Sequence, residues 1–166
     1  MVNKANVDQL ISWVKADVAH FKMQAWTSYL DRPEAQPVRY EPCNTAFCLG
    51  GLIWWHQEIN NGTVKSEIDL EEPSDEAFIR RGRTFLDLDY DTARDLFFMN
   101  FDGFGMWWST RERFDEMSDA FRERATVQVL EHLRDTGEVD WKKAIEDTAA
   151  ALGEPWEGDN SSDTID

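Results

Sequence analysis

Apolar residues recur at spacings of three and four along six stretches of the chain, and each such stretch predicts an amphipathic helix. The first runs from Ala5 to Lys22, with Val7, Leu10, Ile11, Val14, Val18 and Phe21 on one stripe and Trp13 beside it. Ala25 to Leu30 read as a further helical turn. Pro33 and Pro37 impose an irregular stretch through Glu41, because proline fixes its own φ and has no amide to donate. A second helix, Ala46 to Ile59, follows Pro42. Asn44 or Thr45 is placed to cap it, and Asn61-Gly62 ends it. From Ala46 to Trp55 this segment is apolar almost all round, which marks it as the central helix. Gly50 and Gly51 lie inside it, each costing roughly 1 kcal/mol against alanine. That cost predicts a close approach by another helix at one of them.

Residues 63–72, TVKSEIDLEE, read as an extended loop without a partner strand. A third helix covers Asp75 to Phe85 and turns Ala77, Phe78 and Phe85 inward. Asp89 caps a fourth, Tyr90 to Phe98, with Leu88 and Ala93 spaced as a hydrophobic staple. Ser109 and Glu112 form a capping box for a fifth helix, whose stripe is Phe114, Met117 and Phe121. After a bend near Ser118 to Ala120 the stripe resumes through Ala125, Val129, Leu130 and Leu133, and Thr136-Gly137 stops it. Asp140 caps the last helix, which carries Trp141, Ala144, Ile145, Thr148, Ala149 and Leu152 and ends at Gly153 and Pro155. The expected fold is all-α: an irregular orthogonal bundle of about six short helices with little or no sheet. Residues 1–153 form one domain. Residues 154–166 form an acidic tail that reads as disordered, with Trp156 either docked on the body or exposed as an anchor.

Composition supports a packed domain. Of 166 residues, 42% are hydrophobic and 13% aromatic, enough to build a core and to exclude a fully disordered chain. The formal net charge is -16. Such a field repels a phosphate backbone and an anionic bilayer, so neither nucleic acid nor membrane is an expected direct partner. The charge is concentrated: residues 1–72 carry -4 and residues 73–166 carry -12. The opening MVNKANVDQL lacks the apolar core of a signal peptide, and the longest apolar run, Ala46 to Trp55, is too short to span a bilayer. A cytoplasmic location is therefore expected.

One segment supports a resemblance. Cys43-Asn44-Thr45-Ala46-Phe47-Cys48-Leu49-Gly50-Gly51 resembles the C-x-T-x-x-C-x-x-G helix start of an uncharacterised family of small helical bacterial and phage proteins. Arg83 to Phe97 is similar to that family's second segment, in which a leucine–glycine–leucine turn leads into a short helix. Asp87 stands where the family tends to have glycine. The match covers about residues 43–98. It implies a compact helical fold and a bacterial or phage source, and it carries no assigned chemistry.

The candidates for chemistry are few. Cys43 and Cys48 are spaced C-x4-C rather than C-x-x-C, so they read as one buried and one partly exposed cysteine. A redox pair, a nucleophile or a metal ligand are the alternatives. Cys43, Cys48 and His56 fall short of the four ligands of a structural zinc site, with His20 and His132 far off in sequence. Asp87, Asp89, Asp91 and Asp95 match positions 1, 3, 5 and 9 of a calcium loop, but Thr92 and Phe98 stand where its glycine and bidentate glutamate belong. The run reads instead as a helix cap with acidic first-turn residues. No catalytic residue, cofactor or metal is assigned.

The aromatic segment Phe101 to Trp108 is the strongest interaction candidate. Phe104, Trp107 and Trp108 are large and flanked by Gly103 and Gly105, and adjacent tryptophans such as Trp54-Trp55 and Trp107-Trp108 rarely bury together. An acidic helix follows directly, carrying Asp115, Glu116, Asp119 and Glu123. The expected function is a non-enzymatic accessory protein that binds a protein partner, or a second copy of itself, through Phe104, Trp107 and Trp108 with Asp115, Glu116 and Asp119 steering a basic surface. The competing readings are a DNA-mimicking inhibitor of a nucleic-acid-binding protein, a structural subunit of a phage or host assembly, and an enzyme with a cysteine or acid–base site in an aromatic cleft.

Overall fold

The computed structural model describes residues 1–16, 27–29, 45–60, 75–99 and 113–156. Within them the chain forms α1 (Lys4–Ala16), β1 (Thr27–Tyr29), β2 (Thr45–Phe47), α2 (Leu49–Asn60), α3 (Asp75–Leu86), α4 (Tyr90–Phe98), α5 (Asp119–Thr136) and α6 (Trp141–Leu152). A single helical turn at 113–116 precedes α5. The architecture is an all-α bundle of short helices, and among the described residues its one concession to sheet is a two-stranded antiparallel ribbon. Thr27 pairs with Phe47, Ser28 with Ala46 and Tyr29 with Thr45.

That ribbon corrects two expectations. Residues 27–29 are a strand rather than a helical turn, and Ala46 and Phe47 belong to β2, so the second helix starts only at Leu49. Both strands are three residues long and rich in β-branched and aromatic side chains. Runs that short have no readable period, and their pairing joins distant parts of the chain. The cap of α2 moves accordingly. Cys48 fills it: its carbonyl accepts from the Leu52 amide at 2.8 Å and its Sγ accepts from the Gly51 amide at 3.4 Å. Thr45 is in the ribbon, and Asn44 lies outside the described residues.

The other helix ends follow their sequence signals closely. Asn3 caps α1, its Oδ1 accepting from the Asn6 amide at 3.2 Å. Asp89 caps α4, with Oδ1 accepting from the Thr92 amide and Oδ2 from the Thr92 hydroxyl, both at 2.8 Å. Leu88 and Ala93, the two halves of the staple, are buried. Asp140 caps α6 by accepting from the Lys143 amide at 2.8 Å. The bend falls at Met117-Ser118, and Ser118 then caps α5 through its hydroxyl and the Phe121 amide. The Ser109–Glu112 box lies outside the described residues. α3 ends on Asp87 in the left-handed region (φ 55°), and the Leu88 amide reaches back to the Arg83 carbonyl at 3.0 Å. This is the bond pattern of a Schellman terminus.

The core is organised around α5, which packs along α1 on one side and α6 on the other. Phe121, Ala125, Val129, Leu130 and Leu133 on it have no exposed surface. α2 contributes Leu49, Leu52 and Ile53 to the same core, but it leans chiefly on α3. Residues 49–53, the first turns of α2, are all buried, as its apolar composition suggested. The 18 residues of α5 give it the length to serve two neighbours, α1 and α6. On α3, Gly82 leaves room for the ring of Phe97 on α4 to pack against its backbone. Gly50 and Gly51 are buried. Trp141 locks α6 to α4; its ring is 1% exposed and its Nε1 donates to the Leu96 carbonyl at 3.0 Å. Among the described residues no helix is long and apolar enough to cross a membrane.

Candidate interaction site

The break at Met117-Ser118 gathers aromatic rings from three separate parts of the chain. Phe114, on the helical turn, and Phe121, on the first turn of α5, are fully buried and meet edge to face with centroids 6.3 Å apart. Trp141 closes one side of the pair, its ring edge-on to Phe114 at 5.8 Å. Trp156 covers the other, stacked on Phe121 at 6.1 Å with its plane 18° from parallel. These separations and tilts are those that aromatic quadrupoles favour. The Arg113 guanidinium lies 5.3 Å from the centre of the Trp156 ring, within cation–π range.

Polar groups fix the same junction. Ser118 does two jobs: its Oγ accepts from the Phe121 amide at 3.1 Å and donates to Glu154 Oε1 at 2.6 Å. The first residues after α6 are therefore drawn back onto the start of α5. Of the two placements open to Trp156, the docked one is found, with the ring half-buried.

The predicted carboxylates surround this junction. Asp115 is half-buried, Glu116 and Asp119 are exposed, and Glu123 is half-buried one turn beyond Asp119. Asp119 also has a structural partner: it is ion-paired to the Arg122 guanidinium, whose side chain is only 4% exposed. A buried guanidinium needs such a partner to offset its lost hydration. Arg113, Arg122 and Arg124 interleave with the acids, so the face alternates in sign rather than being uniformly negative. Phe104, Trp107 and Trp108, like all of Phe101 to Trp108, lie outside the described residues. Arg113, Ser118, Glu154 and Trp156 were not singled out as a set by their sequence positions. The only signal was a lone tryptophan in an otherwise acidic tail.

The remaining candidates resolve into structural roles where they can be seen. Cys48 is a buried thiol serving as a helix cap, and Cys43 lies outside the described residues. His56 stacks on Trp13 with centroids 4.2 Å apart, and Trp13 stacks in turn near Phe85 at 5.5 Å, so α1, α2 and α3 each contribute one ring. In the acidic run, Asp89 is spent on the α4 cap, and Asp91 and Asp95 both lie within 3.6 Å of Arg94. The Thr92 amide, and then its hydroxyl, hold the Asp89 carboxyl below its ordinary range. Among the described residues no cluster of three or more histidines, cysteines or carboxylates has metal-binding geometry.

A cleft of about 370 Å³ opens where the start of α1, the start of α4 and the end of α5 meet, with Lys4, Asp87, Thr92, Arg134 and Asp135 on its walls. Its charges answer one another. Arg134 donates to Asp8 at 2.8 Å and to Asp135 at 2.9 Å, which holds the Asp135 carboxyl below its usual range. No protein-family model, no curated protein and no solved structure matches the chain.

Proposed function

We propose that this small all-helical protein is a non-enzymatic binding protein whose contact surface lies at the junction before α5. The partner is a protein with a basic surface. Phe104, Trp107 and Trp108 supply apolar burial, and Asp115, Glu116 and Asp119 orient the approach. One observation carries this reading: an aromatic cluster that begins in the core at Phe114 and Phe121 reaches the surface at Trp156, with the exposed carboxylates Glu116 and Asp119 beside it. Large rings at a surface, rimmed by charge, are the composition of a binding hot spot.

The deciding experiment compares partner capture by the wild-type chain and by a Trp107→Ala/Trp108→Ala variant shown by circular dichroism to be folded. The variant is expected to lose the captured protein, and the wild-type association rate to fall as salt is raised. Retention of every captured protein by the folded variant ends the proposal. A dimer on a sizing column that the double substitution dissociates identifies the partner as a second copy.

A further inference from the structure

The contact made by residues 154–156 has the form of a bound peptide rather than of a helix end. Gly153, in the left-handed region at φ 65°, turns the chain out of α6. Pro155 has no amide to donate. Among the described residues, two side chains of the segment hold it: Glu154, accepting from Ser118, and Trp156, lying on Phe121 under Arg113. Each binding element comes from the body. The body offers a hydroxyl, a buried aromatic floor and a guanidinium; the segment offers an acceptor and, two residues later, a flat ring. Alternate side chains filling successive subsites is how short extended peptides are read.

From this we infer that the surface formed by Arg113, Ser118 and Phe121, hereafter the groove, is a peptide-recognition site, and that the chain's own Glu154-Pro155-Trp156 fills it in cis. The ligand class is a partner's short segment bearing an aromatic residue with a hydrogen-bond acceptor two positions before it. The inference deepens the binding role proposed above and rests on it: it adds that the surface is covered until a partner displaces the tail. The covering is strong in concentration terms, because a segment tethered one residue from a helix end sits at an effective concentration in the millimolar range. It is weak in contact terms, since the ring is half-buried and the hydrogen bond lies at the surface. An open state of roughly 0.1–10% is the usual result of such a balance. An outside peptide then binds the closed chain more weakly than the vacated groove by the reciprocal of that fraction, about tenfold or more.

The test uses the full chain and a blocked synthetic peptide, GEPWE, which copies residues 153–157, followed by amide shifts of Ser118 and Phe121. Trp156→Ala vacates the groove and is expected to bind the peptide about tenfold or more tighter than the wild type does. Glu154→Ala keeps the ring but removes the acceptor, and is expected to fall between them. A GEPAE control is expected to bind none of the three. Equal binding to wild type and Trp156→Ala, or no binding at millimolar peptide to a Trp156→Ala chain with native circular dichroism, overturns the inference. Should Trp156→Ala fail to fold, Glu154→Ala decides alone: peptide affinity no higher than wild type overturns it. The assay contains no partner protein, so its failure removes the groove while leaving the Trp107/Trp108 comparison intact.

Discussion

The ring of Phe97 on α4 occupies the space that a side chain at Gly82 of α3 would need. Phe97 is fully buried, so the ring has no solvent-side room to yield. Alanine at position 82 gains about 1 kcal/mol of helix propensity. Overpacking against a buried aromatic ring costs about 1–3 kcal/mol. The second effect is expected to win, and urea denaturation of Gly82→Ala should show a net loss of stability. A stabilised variant would mean that α3 and α4 separate freely at this crossing.

Asp87 holds a left-handed backbone at the end of α3, where a Cβ is penalised and glycine is not. The Asp87 side chain is 71% exposed, so little packing is lost on removing it. Asp87→Gly is expected to stabilise the fold by roughly 1 kcal/mol, read as a higher urea midpoint at unchanged slope.

Thr126 is fully buried on α5, and among the described residues its hydroxyl has no hydrogen-bond partner. Valine has almost the same shape and no polar atom to desolvate. Thr126→Val is therefore expected to raise stability by about 1 kcal/mol, since the cost of an unmade bond is removed at nearly constant volume. A loss of stability in thermal unfolding would show that the hydroxyl has a buried partner, such as an ordered water.

The α4 cap makes stability depend on acid. The carboxyl of Asp89 is held below its ordinary range by the Thr92 amide and hydroxyl. A carboxyl lowered in the folded state contributes stability that is complete above the unfolded value and is lost as pH falls through the folded one. Asp89→Ala should therefore melt several degrees lower than the wild type at neutral pH. The gap should close as pH falls below about 3.8, the group's ordinary value. Asp89→Asn keeps an acceptor for the Thr92 amide and should retain part of the gap without its pH dependence. A wild-type minus Asp89→Ala difference that stays constant down to strongly acidic pH would contradict this account.

The sequence was most legible where local chemistry alone decides. α4 could be bounded at both ends because the Asp89 cap, the Leu88–Ala93 staple and the apolar triplet all act within ten residues. Asp140 and Gly153 likewise framed α6. Features that depend on distant partners were not legible. The β1–β2 ribbon joins residues on either side of a long intervening stretch, and three residues carry no period. Cys48 was overlooked as a cap because sulfur is a poorer acceptor than the oxygens that usually fill that position. Close packing at Gly82, against Phe97, carried no signal of its own, since what faces a helix is a property of its neighbour. The contacts at Ser118 and Phe121 were hidden for a related reason: Glu154 and Trp156 reach them from beyond a whole intervening helix pair.

The pairing of α1 with α5 sets an order of events during synthesis. Asp8 and Arg134, whose side chains meet at 2.8 Å, are separated by 126 positions. At ribosomal speeds of about 5–20 residues per second, α1 emerges on the order of ten seconds before the helix that covers much of its apolar stripe. Through that interval Val7, Leu10, Ile11 and Val14 lack their principal cover on a nascent chain. Until α5 has been made, the cover open to the first helix within the chain is α2 and α3, the other elements it packs against in the folded protein.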